Sequence, residues 1–116
     1  MLTEADLNQF TGTETWTRHG LNRNMLCTDG VMYFAENAGN GAFWFLDIVA
    51  TELMLLHKKE PFLAITLASK DGKATITADD GNDRVLYTRE IEYTDCPPGD
   101  WKFYLTDNVL LLTSEY

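Results

Sequence analysis

Hydrophobic and polar positions alternate at every second residue through the second half of the chain, from Phe62 onward. The apolar faces of these runs are Leu63, Ile65 and Leu67; Ala74, Ile76 and Ala78; Val85, Tyr87, Ile91 and Tyr93; and Trp101, Phe103 and Leu105, before a last run at 109–114. A period of two is typical of strands with one buried face. Turn-forming residues separate the runs at 71–72, 79–83, 95–100 and 107–108, so five consecutive strands in an antiparallel meander are predicted.

The longest apolar run precedes these strands and is predicted to be a helix. It reads GNGAFWFLDIVATELMLLHKK, residues 39–59, and ends at two lysines and Pro61, which suits a helix C-terminus. A membrane-spanning helix needs about 20 apolar residues, whereas the apolar part of this run, residues 42–56, is only about fifteen residues long and carries Asp47, Thr51 and Glu52. On a regular helix Asp47, Thr51, Met54 and Lys58 share one narrow stripe, and the rest is almost entirely apolar.

The N-terminal third gives weaker signals. Thr3 and Asp6 have capping-box spacing for a short helix over residues 4–9, and alternation over residues 13–18 indicates a strand. The stretch NMLCTDGVMYFAEN contains Asp-Gly between two apolar runs, which is a hairpin pattern. It predicts one strand at Met25–Cys27 and a second at Val31–Ala35.

Together these elements predict an α+β fold in a single domain, residues 1–116. An antiparallel meander is packed around one central α-helix, and a short helix lies at the N-terminus. The helix is the only large element available to cover the apolar face of the sheet.

Acidic side chains outnumber basic ones by 18 to 9, a formal net charge of -9. Such a field repels nucleic acid and anionic lipid and favours basic partners. Nine of the acids, against three cations, lie between Asp79 and Tyr116, mostly at predicted turns. A row of carboxylates there could imitate phosphate groups, so the predicted partner-binding residues are Asp79, Asp80, Asp83, Glu90, Glu92, Asp95, Asp100 and Asp107. The competing explanation is that Asp is a common turn residue and that acidity aids solubility.

Catalytic and metal-binding patterns are sparse. His19 and His57 are the only histidines and Cys27 and Cys96 the only cysteines, in no metal-ligand spacing, so we predict no metal site and no cofactor. No phosphate-binding, nucleophile-elbow or zinc-protease motif occurs. The N-terminus does not read as a signal peptide, and reduced thiols suit a cytoplasmic protein.

Arg89 interrupts the apolar face of its strand, between Tyr87 and Ile91. A β-bulge would turn its side chain outward. Otherwise Arg89 lies at the sheet edge or pairs with a carboxylate such as Glu52 or Asp47, because an unpaired buried charge is costly. This residue is therefore grouped with Trp44, Glu52 and Tyr87 as an alternative pocket between helix and sheet.

Four segments resemble a family of small bacterial proteins of unknown function: LTEADLNQFTGTETW, FWFLDIVA, YTREIEYTD and NVLLLTSEY. Members of that family occur in genomes and on plasmids and other mobile elements. The resemblance covers most of the chain but implies no catalytic or binding residue. The mobile-element association implies a host-defence inhibitor, of the anti-CRISPR or antirestriction type.

The leading functional hypothesis is therefore a non-enzymatic acidic protein that binds a basic surface, without direct contact to nucleic acid or membrane. One alternative is a small enzyme or ligand-binding domain that uses the pocket near Trp44, Glu52 and Tyr87. The other is a structural homodimer formed through the wide apolar arc of the helix. Salt dependence distinguishes the first hypothesis, since charge-based binding weakens as ionic strength rises.

Overall fold

The protein folds as a seven-stranded mixed sheet with its helices packed on one face, as seen in a computed structural model that describes residues 1–116. The strand order is β1-β2-β7-β6-β3-β4-β5. All neighbouring strands are antiparallel except β2 and β7, which are parallel. The strands are β1 (Trp16–Arg18), β2 (Leu26–Thr28), β3 (Phe62–Lys70), β4 (Lys73–Asp79), β5 (Val85–Ile91), β6 (Gly99–Thr106) and β7 (Val109–Leu112).

Three helices accompany the sheet. They are α1 (Glu4–Leu7), α2 (Asp29–Asn37) and α3, which consists of Phe43–Ile48, a π-helical stretch Val49–Leu53 and Met54–His57; a 3₁₀ turn, Thr113–Glu115, follows β7. The start of α1 is as predicted, because the Asp6 carboxylate accepts a hydrogen bond from the N–H of Thr3 at 2.8 Å.

The prediction of a meander around one central helix is wrong. The five strands from Phe62 onward exist, but β6 pairs with β3 rather than with β5. The chain between β5 and β6 passes the ends of β4 and β3. It is anchored there by Cys96, whose carbonyl accepts from Ser69 at 2.9 Å, and by Pro97, whose carbonyl accepts from the Trp101 indole at 2.9 Å. The sheet therefore lies against the helices as a layer instead of wrapping one of them.

The predicted inward faces of β3, β4 and β6 are correct. Their apolar positions are buried and meet aromatic rings from the helices. Phe34 of α2 lies 5.1 Å from Phe103 between ring centroids, and Phe45 of α3 lies 4.9 Å from the same ring. Aromatic contacts of this kind contribute about 0.5–1.5 kcal/mol beyond the area they bury. The core therefore sits between β6, β3 and the two longer helices.

The hairpin predicted over Met25–Ala35 is wrong in its second half. Residues Val31–Ala35 belong to α2, and Asp29-Gly30 forms its first turn. Thr28 ends β2 and caps the helix, since its hydroxyl accepts from the N–H of Val31 at 3.4 Å. Asp-Gly after a threonine suits a helix start as well as a turn, so the local pattern could not distinguish the two.

The π-helical stretch explains why the predicted stripe on α3 fails at its C-terminal end. A π turn takes in one extra residue, so every side chain after it rotates relative to a regular helix. Asp47 and Thr51, before and within the stretch, are exposed as predicted. Beyond it Met54 is buried, and Leu55 takes the solvent-facing position with 61% of its surface exposed.

Candidate binding groove

Strand β5 is the longer of the two edges of the sheet and has a neighbour on one side only. The hairpin from β3 to β4 turns through Asp71 and Gly72, both at positive φ, so its flanking pair Lys70 and Lys73 is hydrogen-bonded. Bonding then alternates along β4: its odd-numbered residues bond to β3 and its even-numbered residues bond to β5.

The register of β4 with β5 identifies the backbone groups that have no strand partner. Ala74, Ile76 and Ala78 pair with Ile91, Arg89 and Tyr87. The N–H and C=O groups of those three β5 residues therefore point toward β4. The backbone groups of Thr88 and Glu90 point away from the sheet, toward solvent, whereas Leu86 is the extra residue at the register shift between Ala78 and Asp79 and lies outside this alternation.

An open groove of about 920 Å³ runs between α3 and this edge. Its apolar wall is formed by Trp44 and Ile48 of α3, Ile91 of β5 and Tyr93 just beyond it. Tyr93 has 87% of its surface exposed. Because Tyr87, Arg89 and Ile91 pair with buried positions of β4, their side chains point to the helix side of the sheet, where the groove lies.

Glu52 joins α3 to the edge strand beside the groove. Its carboxylate accepts a hydrogen bond from the Tyr87 hydroxyl at 2.7 Å and forms an ion pair with Arg89. Burial, and then the Glu52 carboxylate, raise the pKa of Tyr87 to about 12. The side chains of Arg89 and Glu52 are 45% and 38% exposed, so the pair adds little to stability. Arg89 thus lies at the sheet edge and pairs with Glu52, and the one irregularity of β5 falls elsewhere, opposite Ala78 and Asp79.

Two further carboxylates line the groove, and both are held in place. Asp47 accepts from the Nε2–H of His19 at 3.0 Å, and Nδ1 of that ring accepts from the backbone N–H of Leu21. Asp95 accepts from the N–H of Asn40 at 2.7 Å. Both side chains remain exposed. The groove therefore combines an apolar wall with fixed negative charge, while its one cation, Arg89, is neutralised by Glu52.

The eight acidic residues predicted to bind a partner fall into separate groups. Asp79, Asp80, Asp83 and Asp107 lie where β4 and β6 end, whereas Glu92, Asp95 and Asp100 lie at the opposite end of the sheet, and Glu90 is on β5. Several have local tasks: the Asp79 carboxylate accepts from Gly81 at 2.8 Å, and Asp83 and Asp107 have positive φ. Turn geometry is a sufficient reason for aspartate at Asp79, Asp83 and Asp107, and the role of the eight residues in partner binding stays a prediction.

The four residues of the alternative pocket do come together around the groove. Trp44 and Arg89 line it, and Glu52 and Tyr87 form the bridge beside it. Sequence reasoning missed Ile48, Tyr93 and the His19–Asp47 pair. The period-two pattern of β5 contained a signal for Tyr93, which was assigned to its apolar face.

The remaining titratable side chains have structural roles. Both ring nitrogens of His57 are used: Nδ1 bonds the carbonyl of Glu60 at 2.9 Å and Nε2 accepts from the N–H of Asn108 at 3.2 Å. Cys27 lines a smaller cavity with His19, but burial raises the pKa of its thiol to about 12, and the bonds of His19 leave no ring nitrogen to act on it.

These features define a two-layer α+β protein with a groove at an open sheet edge. The chain belongs to a family of unknown function, DUF6876, whose model matches residues 1–116. No curated protein and no solved structure matches it. No helix of the protein has the length and hydrophobicity needed to cross a membrane.

Proposed function

We propose that this protein is a non-enzymatic binding protein that takes a positively charged segment of a partner protein into the groove between α3 and β5. The observation that supports this most is the pairing of an apolar wall, formed by the half-buried Trp44 and Ile48 and the exposed Tyr93, with the fixed carboxylates of Asp47 and Asp95. Aromatic side chains surrounded by polar groups are typical of protein interfaces.

Electrostatics favours a basic partner over an acidic one. The chain carries a net charge of -9, and Arg89, the one cation lining the groove, is already paired with Glu52. Complementary charge raises association rates and excludes partners of the wrong sign. A segment that carries lysine or arginine next to apolar residues satisfies both features of the groove.

The more specific part of the proposal concerns the partner's identity. Its basic surface would belong to a bacterial nucleic-acid-handling or defence protein, and the protein would act in the cytoplasm as an inhibitor encoded on mobile elements. The net charge of -9 and the two free, buried cysteines support this version. If it is correct, a purified defence nuclease that binds the groove will lose its affinity for DNA in proportion to occupancy.

The general proposal is tested with an array of twelve-residue synthetic peptides that contain both basic and apolar residues. The tightest binder is measured by fluorescence anisotropy against the double variant Asp47→Asn/Asp95→Asn. Asparagine keeps the acceptor oxygens for His19 and Asn40 but removes both charges. We expect a loss of affinity of about tenfold, since removing a rim charge typically weakens both association and its salt dependence.

The matched control is Asp79→Asn/Asp83→Asn, which removes the same charge at a site away from the groove and keeps the Asp79 acceptor for Gly81. This variant should bind the peptide as the wild type does. Equal loss in both variants would show that net charge alone attracts the peptide. Absence of any binder in the array would contradict the proposed function itself.

A further inference from the structure

We infer that the partner segment binds as an additional β-strand along β5, with basic and apolar residues alternating in its sequence. This inference rests on the proposed function and specifies how the segment docks. Thr88 and Glu90 present their backbone N–H and C=O groups outward, on the side of β5 that has no neighbouring strand. An extended peptide that pairs with these groups gains main-chain hydrogen bonds independent of its side chains, as in other cases of strand addition.

The side chains of an added strand would alternate between the two faces of the sheet. On the helix side they would enter the groove beside Trp44, Ile48 and Ile91, which selects aliphatic or aromatic residues. On the other side they would lie next to Thr88 and Glu90, and the residue opposite Glu90 would be lysine or arginine. Such a cross-strand charge pair contributes about 0.2–1 kcal/mol.

The structure also limits where the added strand begins and ends. At one end the register of β5 is interrupted opposite Ala78 and Asp79, and the Glu52–Arg89 pair bridges the space between edge and helix. At the other end the groove opens between Tyr93 and Asp95. The paired part is therefore short, and a second basic residue should follow it at the Asp47 and Asp95 end.

A second copy of this chain fits the edge less well than a basic segment. Two β5 strands paired antiparallel about Thr88 would bring each Glu90 to the end of the other strand where the register is interrupted, opposite Ala78 and Asp79, so regular pairing would stop there. Each copy also carries a charge of -9, so the two chains repel each other. Charged side chains on an edge strand oppose self-pairing in this way.

The test compares Thr88→Pro with Thr88→Ala. Proline removes the outward N–H of residue 88 and places its ring where the added strand would lie, while the bonds to β4 come from the flanking residues. Alanine keeps the N–H and removes only the side chain. With the tightest peptide of the array as probe, we expect Thr88→Pro to weaken binding at least about tenfold and Thr88→Ala to bind as the wild type does.

N-methylated peptides test the same pairing without changing the protein. Methyl groups on every second amide of the probe should abolish binding in one of the two alternating sets and leave it intact in the other, because only one set faces β5. The experiment with N-methylated peptides tests strand addition even if the Thr88→Pro variant does not fold.

Three outcomes would overturn strand addition. The first is wild-type affinity in a folded Thr88→Pro variant, and the second is an equal effect of the two methylation sets. In either case, peptide binding that still depends on Asp47 and Asp95 would leave the proposed function intact. The third is sedimentation of the wild-type protein as a dimer that Thr88→Pro converts to monomer, which would assign the edge to a second copy.

Discussion

The two edges of the sheet are built differently. Strand β1 has three residues, and the chain just before it is tied to the start of α2: the Asp29 carboxylate accepts from the Thr15 hydroxyl at 2.5 Å and from the N–H of Glu14 at 3.1 Å. These bonds, that from Thr15 foremost, lower the pKa of Asp29. Strand β5 has seven residues, and its hydrogen-bonded and ionic connection to the helix layer is through Glu52.

The contrast shows that only one edge is protected by its construction. Short edge strands and covered edges prevent unwanted pairing with other chains. β1 meets that requirement by its length, whereas β5 exposes a longer row of backbone groups beside an apolar groove. An edge of this kind invites an additional strand, so its side chains decide which strand is accepted.

The largest expected effect concerns hydrogen exchange along β5. The amides of Tyr87, Arg89 and Ile91 bond to β4, whereas those of Thr88 and Glu90 face solvent. We expect neighbouring amides to differ roughly a hundredfold in exchange rate, since protection follows the free energy of opening the hydrogen bond. Amide exchange measured by NMR resolves this alternation residue by residue.

Uniformly fast exchange along β5 would contradict the predicted difference between neighbouring amides. Uniformly slow exchange would show that the edge is already paired in solution. The same experiment with a bound peptide should slow exchange at Thr88 and Glu90 and leave the amides already bonded to β4 unchanged.

Much of the β3–β7 region was predictable from sequence, because a period of two directly reports which side chains face a core. The strand order was not predictable. Whether β6 follows β5 as its neighbour or crosses back to β3 depends on anchors such as the Ser69–Cys96 bond, which form only in the folded protein. The π-helical stretch of α3 is equally invisible to a pattern that assumes a regular helix.

The groove could be predicted in part. Arg89 stood out because a charge on an apolar strand face needs a partner, and Glu52 was one of two carboxylates on the predicted helix. The free edge that makes the groove a binding site depends on strand order, so no local pattern could reveal it. Asp47 was noticed on the polar stripe, but its bond to His19 joins residues that are distant in sequence.

The next effect compares two glutamates that lie near opposite edges of the sheet, Glu115 beside β2 and β7 and Glu52 beside β5. Glu115 accepts hydrogen bonds from the Thr28 hydroxyl at 2.6 Å and from the N–H groups of Gly30 and Leu112 at 3.2 and 2.9 Å. Its replacement by alanine leaves these donors unpaired and should lower the free energy of unfolding by about 2–3 kcal/mol. Glu52→Ala should cost less than about 1 kcal/mol, because exposed ion pairs contribute little.

Urea unfolding of both variants measures the difference. Glu115→Gln is the control: its amide oxygen can still accept from Thr28 and Leu112, so it should lose less stability than Glu115→Ala. Equal losses for Glu115→Ala and Glu52→Ala would mean that the two edges of the sheet are attached to the rest of the fold with equal stability.

The smallest effect concerns the hydroxyl of Tyr87. Its pKa is raised from 10 to about 12, first by burial and then by Glu52. A raised pKa means that the folded state favours the neutral phenol; this contribution to stability is present below pH 10 and is lost as pH rises toward 12. Glu52→Gln should lower the pKa of Tyr87 yet leave it above 10, because burial persists. Ultraviolet titration against Tyr87→Phe isolates this group among five tyrosines. An unchanged pKa in Glu52→Gln would show that the carboxylate does not reach the edge strand in solution, and β5 would then be held to the helix layer by apolar packing alone.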